Sequence, residues 1–308
     1  MTLAILLSGQ GAQHPAMFAL TADRPEAQGV FEAARPLLDG TDPRDLAKAG
    51  QDLHGNRTGQ VLCCVAALAG WSVIAASRPG RSIVAGYSIG DLAAWGVAGR
   101  FDAPTVLRLA ASRAEAMDAA SGEGFGLAGI RGLGLDTLDG LIRQHEGHLA
   151  IRNAADSFVV GGKRDALDAL CRDALAHGAQ RAVPLAVATP SHTPLLAAAS
   201  ERFRALLAEA ELHRPPPTAP RLLSGLDGAP VFRPEAGLDK LAEQISRTLD
   251  WAACLEACGE YGATHLLELG PGHALATMAQ AALPGAKVHA LDAFRSVEGV
   301  REWIRREQ

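Results

Sequence analysis

The residues best suited to covalent chemistry lie in Gly86-Tyr87-Ser88-Ile89-Gly90, a G-x-S-x-G turn. The apolar run Ser82-Ile83-Val84-Ala85 leads into it, and Leu92 to Val97 reads as a helix behind it. A strand, this turn and then a helix is the context that holds a serine at a tip with its Oγ exposed. The first N–H groups of such a helix have no intrahelical acceptor and are free to stabilise an oxyanion. The chemistry implied is acyl transfer through an acyl-serine. The plain alternative is a glycine-rich turn without chemistry, and the flanking elements favour the nucleophile.

A serine hydroxyl needs a base. His192, in Thr189-Pro190-Ser191-His192-Thr193-Pro194, stands between the end of a strand and the start of a helix. In an α/β sheet, loops at the carboxyl ends of strands converge at such places. His273, in Gly270-Pro271-Gly272-His273, also follows a strand and is the rival, since hydrolases of this kind carry their base late in the chain. Local sequence leaves both standing. A second turn, Gly9-Gln10-Gly11-Ala12-Gln13, follows the first strand and offers either a further N–H to the oxyanion or a simple tight turn.

The helix from Pro104 to Ala120 carries two arginines. Arg108 shares its face with Ser112 and Glu115 and reads as solvated. Arg113 shares a face with Val106, Leu109, Ala110 and Met117, an apolar stripe by helical spacing. An arginine buried there needs an anionic partner. The plain reading is an internal carboxylate, such as Glu32 or Asp118, or a side chain that snorkels out; the sharper one is a substrate carboxylate held by the guanidinium fork.

The elements that must position these groups can be read from pattern. Leu3 to Leu7 and Ser82 to Ala85 are short buried strands, and Val61 to Ala76 is a buried helix. Between Gly122 and Val187 the texture changes. Strands at Phe125 to Ile130, Ala150-Ile151, Ser157 to Gly162 and Ala182 to Val187 alternate with helices at Asp136 to His145 and Arg164 to His177. That β-α-β-β-α-β order is ferredoxin-like. The expected fold class is therefore α/β, a hydrolase-like parallel-sheet core made of 1–121 and 188–308, with an inserted ferredoxin-like small subdomain at 122–187. A long amphipathic helix lies within Ser191 to His213, and Leu222-Leu223-Ser224 and His265 to Leu269 are further strands.

With 308 residues, 48% hydrophobic and 20% charged, the chain can bury a large core. A net charge of −5 without like-charge blocks gives no reason to expect nucleic acid or an anionic membrane as partner. The first apolar run is too short for a signal peptide, and no stretch is read as long enough to span a bilayer, so a cytoplasmic protein is expected. Five cysteines lack metal-site spacing and are expected to be buried small hydrophobes, with no metal bound.

Together these motifs resemble malonyl-CoA:acyl-carrier-protein transacylases. Leu7-Ser8-Gly9-Gln10-Gly11-Ala12-Gln13 is similar to their entry motif, and Gly86-Tyr87-Ser88-Ile89-Gly90-Asp91 to their nucleophile motif. The resemblance implies that Arg113 holds a malonyl carboxylate and that Pro190-Ser191-His192 carries the catalytic histidine, which decides against His273. It implies that the main-chain carbonyl of Gln244 orients His192 and that the N–H groups of Gln10 and Ile89 form the oxyanion hole. Asn153, in Ile151-Arg152-Asn153, and the strand Phe158 to Gly162 resemble the family's small subdomain, with Asn153 on the substrate. Glu268-Leu269-Gly270-Pro271-Gly272 resembles a late strand-turn signature.

Tyr87 and Asp91 depart from the common pattern of histidine and glutamate. With Leu92-Ala93-Ala94-Trp95 they look most like the epsilon (transacylase) subunit of biotin-independent malonate decarboxylase. The function implied is malonyl transfer from malonyl-CoA, as substrate rather than bound cofactor, to the phosphopantetheine-type arm of an acyl carrier protein. The carrier expected is that of malonate decarboxylase, whose other subunits would then be partners; a transacylase of fatty-acid or polyketide synthesis is the alternative. A serine thioesterase or esterase, with His273 as base, and a non-catalytic carrier-docking subunit are the other readings.

Overall fold

The computed structural model describes residues 2–305. Chain order begins with β1 (Leu3–Leu7), the helices α1 (Gln28–Ala34), α2 (Pro43–Ala49) and α3 (Asn56–Ile74), then β2 (Ser82–Gly86), α4 (Ile89–Val97) and α5 (Ala103–Ala120). It continues through β3 (Phe125–Arg131), α6 (Leu135–Gln144), β4 (His148–Ala154), β5 (Ser157–Lys163), α7 (Arg164–Ala176) and β6 (Arg181–Pro184). There follow α8 (Ala197–Ala208), β7 (Arg221–Leu222), α9 (Pro234–Glu243), β8 (Leu249–Asp250) and α10 (Trp251–Glu260). The chain closes with β9 (His265–Leu269), α11 (Ala274–Ala282), β10 (Lys287–Ala290) and α12 (Val297–Arg305).

One sheet is wholly parallel, in the order β10-β9-β1-β2-β7. Every residue of β1, β2 and β9 is buried, as unbroken apolar runs covered on both faces must be. The turns after β1, β2 and β9 meet at the carboxyl edge of this sheet. Ser8 Oγ donates to Glu268 Oε1 at 2.8 Å, while Glu268 Oε2 accepts from the Ala276 N–H at 2.7 Å. The buried Glu268 thereby ties the end of β1 to β9 and α11.

Helix α3 is apolar almost all round because it fills the core on one side of the sheet. This corrects one sequence expectation: the stretch Asn56–Ser77, with mean hydropathy 1.8 over its best window, is long and apolar enough to cross a membrane. Here 78% of that window is buried inside the protein, so its apolar surface is already spent on the core.

The second sheet has the order β6-β3-β5-β4-β8, antiparallel except where β8 runs parallel to β4. Alternation decides what each face covers. Ala128, Ile130, Phe158 and Val160 pack with Leu138 of α6 and Leu167 of α7. From the opposite face, Leu127, Ile151 and Val159 join Trp251 and Leu255 of α10 and the first sheet. Strand β6 ends at Pro184, earlier than expected, with one further backbone bond from the Leu185 N–H to the Leu127 carbonyl at 2.8 Å. Helix α4 begins at Ile89, directly behind the serine, and the amphipathic helix expected within 191–213 is α8, preceded by the 3-10 turn Pro194–Leu196. All five cysteines are free and buried.

Candidate active site

Ser88 sits between β2 and α4 with φ 55° and ψ −116°, a left-handed conformation unusual for a residue with a Cβ. Such strain costs about 1–3 kcal/mol and persists only where the surroundings enforce it. The enforcement comes from the flanking glycines. A Cβ at Gly86 would lie 2.1 Å from the carbonyl carbon of Gly90, and one at Gly90 would lie 2.2 Å from the Leu7 carbonyl oxygen. The N–H groups of Gly90 and Asp91 turn back to the carbonyls of Tyr87 and Ser88. Ile89 holds the first helical position, where an N–H has no intrahelical acceptor. Gly9 lies against the same turn, its hypothetical Cβ 3.7 Å from Ser88 Cβ, which brings the backbone next to Gln10 close to the serine.

His192 also has a positive φ, 63°, and is buried. Its backbone N–H donates to the Ile245 carbonyl at 2.8 Å, so the loop is pinned to the segment that follows α9. Its Nε2 lies 2.9 Å from Ser88 Oγ, and Nδ1 donates to the main-chain carbonyl of Gln244. A carbonyl only accepts, so Nδ1 carries the ring proton and the Nε2 lone pair is left for the serine O–H. Gln244 caps the C-terminus of α9, where carbonyls lack intrahelical donors. Burial, reinforced by the charge of Arg113, pushes His192 down to about 3, against the opposing pull of the Gln244 carbonyl. The ring is therefore a neutral base at physiological pH. His273 is exposed at the N-terminus of α11, and its side chain makes no hydrogen bond to Ser88.

Arg113 is one of the largest fully buried side chains, at 1% exposure. Neither Glu32 nor Asp118 pairs with it, since Asp118 accepts instead from Asn56 Nδ2 at 2.7 Å; the internal carboxylate that acts on it is buried Asp91, through charge and without a hydrogen bond. Arg113 Nη1 donates to Gln60 Oε1 at 2.7 Å, while Nε and Nη2 have no partner among the described residues. Those two nitrogens are one edge of the guanidinium fork, the edge that matches a carboxylate. Burial lowers Arg113 to about 10, which leaves it charged at neutral pH.

Asn153 is the penultimate residue of β4 and lies beside the nucleophile turn, where its Oδ1 accepts from the Tyr87 hydroxyl at 3.1 Å. Tyr87 also meets Trp251 edge-on, with ring centroids 5.4 Å apart. Because Oδ1 is taken, the Asn153 amide NH₂ is the group left to donate. Beside it a cleft of about 400 Å³ opens between the second sheet and α10–α11, lined by Arg131, Arg152, Asn153, Ser157, Leu255 and Met278 among others.

Sequence reading missed two residues that hold this arrangement. Gln60 orients Arg113 and is itself fixed, Nε2 donating to Asn56 Oδ1 at 2.8 Å; its signal was a polar residue at the head of an apolar helix. Asp91 was noted as a departure from a motif, yet it is buried and accepts from Gln244 Nε2 at 2.8 Å. The assembled groups are a serine, a neutral imidazole in contact with it, helix-start N–H groups and a buried cation with a free edge. They are equipped to transfer an acyl group that carries a carboxylate.

No family model matches the chain. It is 32% identical over 300 residues to the malonyl CoA-acyl carrier protein transacylase of Mycobacterium bovis, covering 94% of this chain and 96% of the relative. The crystal structure of an acyl-carrier-protein S-malonyltransferase from Burkholderia pseudomallei superposes with a TM-score of 0.90 at 29% identity, over 98% of this chain and all of the other. A malonyl-transacylase solved in complex with its type II PKS acyl-carrier protein gives a TM-score of 0.90 at 26% identity, over 98% of this chain and 99% of the other.

Proposed function

The chain belongs to the malonyl-CoA:acyl carrier protein transacylase family, and we propose that it moves a malonyl group from malonyl-CoA to a carrier-protein thiol through malonyl-Ser88. The observation that carries this reading is the open Nε/Nη2 edge of buried Arg113, a cation with no carboxylate hydrogen-bonded to it among the described residues.

Ser88 Oγ attacks the thioester carbonyl as its proton passes to His192 Nε2. The oxyanion is held by the N–H groups of Ile89 and Gln10. Collapse breaks the C–S bond, and the imidazolium returns its proton to the departing coenzyme A sulfur. The carrier thiol then loses its proton to His192 and attacks the malonyl ester. Ser88 leaves as the alcohol, reprotonated by the same ring. Throughout, the Gln244 carbonyl keeps the Nδ1 proton in place, Arg113 holds the malonyl carboxylate and the Asn153 amide donates to the substrate. No bound cofactor takes part.

The carrier reading follows the relatives named above, whose names give an acyl carrier protein, in one case of a type II PKS, and not malonate decarboxylase; a carrier of fatty-acid or polyketide synthesis is therefore the first reading. Loading of a malonate decarboxylase carrier is the second reading and rests on Tyr87 and Asp91 with the Leu92-Ala93-Ala94-Trp95 that follows. A cytoplasmic setting accords with both. We read 122–187 as a ferredoxin-like subdomain inserted into a core of 1–121 and 188–308; its β-α-β-β-α-β order and the strand order β6-β3-β5-β4 support that division.

Intact-mass spectrometry after incubation with malonyl-CoA, then with candidate holo-carriers, tests the proposal. The expected result is a malonyl adduct on Ser88 that a carrier discharges. An adduct that persists in Ser88→Ala, or none in the wild type, would overturn it.

A further inference from the structure

We propose that Asp91 is a positioning residue for His192, acting through the side chain of Gln244. The proposal rests on the reading of Ser88 and His192 as nucleophile and base. Its geometry is a closed ring. Ser88 Oγ meets His192 Nε2 at 2.9 Å, His192 Nδ1 meets the Gln244 carbonyl, and Gln244 Nε2 meets Asp91 Oδ2 at 2.8 Å. Asp91 lies in the first turn of α4, three residues after the serine where the ring began.

Three observations give the ring a purpose. The Gln244 amide has one side-chain partner: its Oε1 has none among the described residues and its Nε2 donates to the Asp91 carboxyl, which also draws on the Gly225 N–H and the charge of Arg113. Both residues are buried, and burying a carboxyl is a cost that apolar packing does not recover, so its polar partners, the Gln244 amide among them, must hold it. The carboxyl is also wedged from behind, since a Cβ at Gly225 would lie 2.8 Å from Asp91 Cγ and 2.3 Å from the Gly86 carbonyl oxygen. Asp91 therefore cannot retreat, and Gln244 is held by a strut on the nucleophile's own helix.

The strut answers a mechanical problem. Gln244 ends α9, and the chain after it leaves to form β8 in the second sheet, so helix geometry alone does not fix its carbonyl. Tethering its side chain sets the direction of that residue, and with it the carbonyl that orients the imidazole. The serine and its base are thus referenced to one helix end. A misplacement of about 1 Å in such a group is enough to cost about 100-fold in rate.

The test compares Asp91→Ala, Gln244→Ala, the double variant and Asp91→Asn, with two readouts. One is the rate of Ser88 acylation by malonyl-CoA in rapid-quench mass spectrometry. The other is solvent exchange of the His192 Nδ1 proton by NMR. Each single alanine variant should lose about tenfold or more in acylation rate, with half-saturating malonyl-CoA unchanged, and should exchange the ring proton faster. The double variant should be no worse than either single, because both remove one tether. Asp91→Asn, whose Oδ1 still accepts from Gln244, should recover most of the rate.

Additive losses, wild-type rates in the alanine variants, or an Asn variant as poor as the Ala would overturn the proposal. Should Asp91→Ala fail to fold, Gln244→Ala cuts the tether from the other end and decides. If wild-type Ser88 takes no malonyl group, the proposed function fails, and the ring-proton exchange alone still judges the strut.

Discussion

Replacing Arg113 by alanine separates a substrate-binding arginine from a structural one. The side chain is fully buried, one nitrogen is bonded to Gln60, and the Nε/Nη2 edge is free. A malonyl carboxylate on that edge forms a desolvated, charge-assisted pair, and removing one partner of such a pair costs about 2–5 kcal/mol. At about 1.4 kcal/mol per decade, malonyl transfer should fall by about 30-fold to several thousand-fold. Acetyl-CoA serves as the control within the same variant. Its acyl group has no carboxylate to lose, and removing the arginine's charge lifts one of the two causes that hold His192 below its usual range. Acetylation of Ser88 should therefore hold or rise. Arg113→Lys should recover only part of the malonyl rate, since an ammonium keeps the charge but not the fork. The assay is single-turnover acylation of Ser88 with each donor. Equal losses for malonyl and acetyl would refute the reasoning, because they would place Arg113 in the scaffold with Gln60.

Three other outcomes follow from the geometry. His192→Ala should slow acylation by about 10²–10⁴-fold, as loss of a general base does, whereas His273→Ala should stay near wild type in the same assay; the reverse pattern would restore the hydrolase reading. Because His192 in the fold is pushed down to about 3 from an ordinary 6.5, the unfolded chain binds a proton first on acidification. That residue's contribution makes folding stability fall between about pH 6.5 and pH 3, and denaturant titrations of the wild type and His192→Ala should show a shallower fall in the variant. Gly86→Ala places a methyl group 2.1 Å from the Gly90 carbonyl carbon, so both the thermal midpoint and the acylation rate should drop; a stable, active variant would mean that the turn is not needed in this shape.

The sequence was most legible where function is local. The G-x-S-x-G turn could be read because its glycines answer a steric demand within five residues, and Arg113 because helical spacing put it on an apolar stripe. Gln60 was not legible as a partner, since it lies on another helix, 53 positions before the arginine it orients. Gln244 came only by resemblance, because it acts on His192 through a main-chain carbonyl that any residue would supply. Its side chain does carry information, but that information points to Asp91, 153 positions away. Short elements escaped for a similar reason: β8 has two residues, and what makes it a strand is pairing with β4 rather than any periodicity. Strands β1, β2 and β9 were plain because burial on both faces writes itself as an unbroken apolar run.

The buried cysteines have a consequence for an enzyme of thioesters. A thiolate at the surface is chemically equivalent to the thiols between which such an enzyme moves its cargo, and it would intercept acyl groups without any catalytic site. Cys63 and Cys64 flank the machinery most closely, Cys63 Sγ lying 3.4 Å from the Gly9 carbonyl oxygen. Burial raises Cys63 well above its ordinary range and Cys64 to about 12, and it raises Cys171, Cys254 and Cys258 as well. The thiolate is the nucleophilic form, so all five thiols are both shielded and kept protonated. The protein has thereby removed itself from the list of competing acceptors.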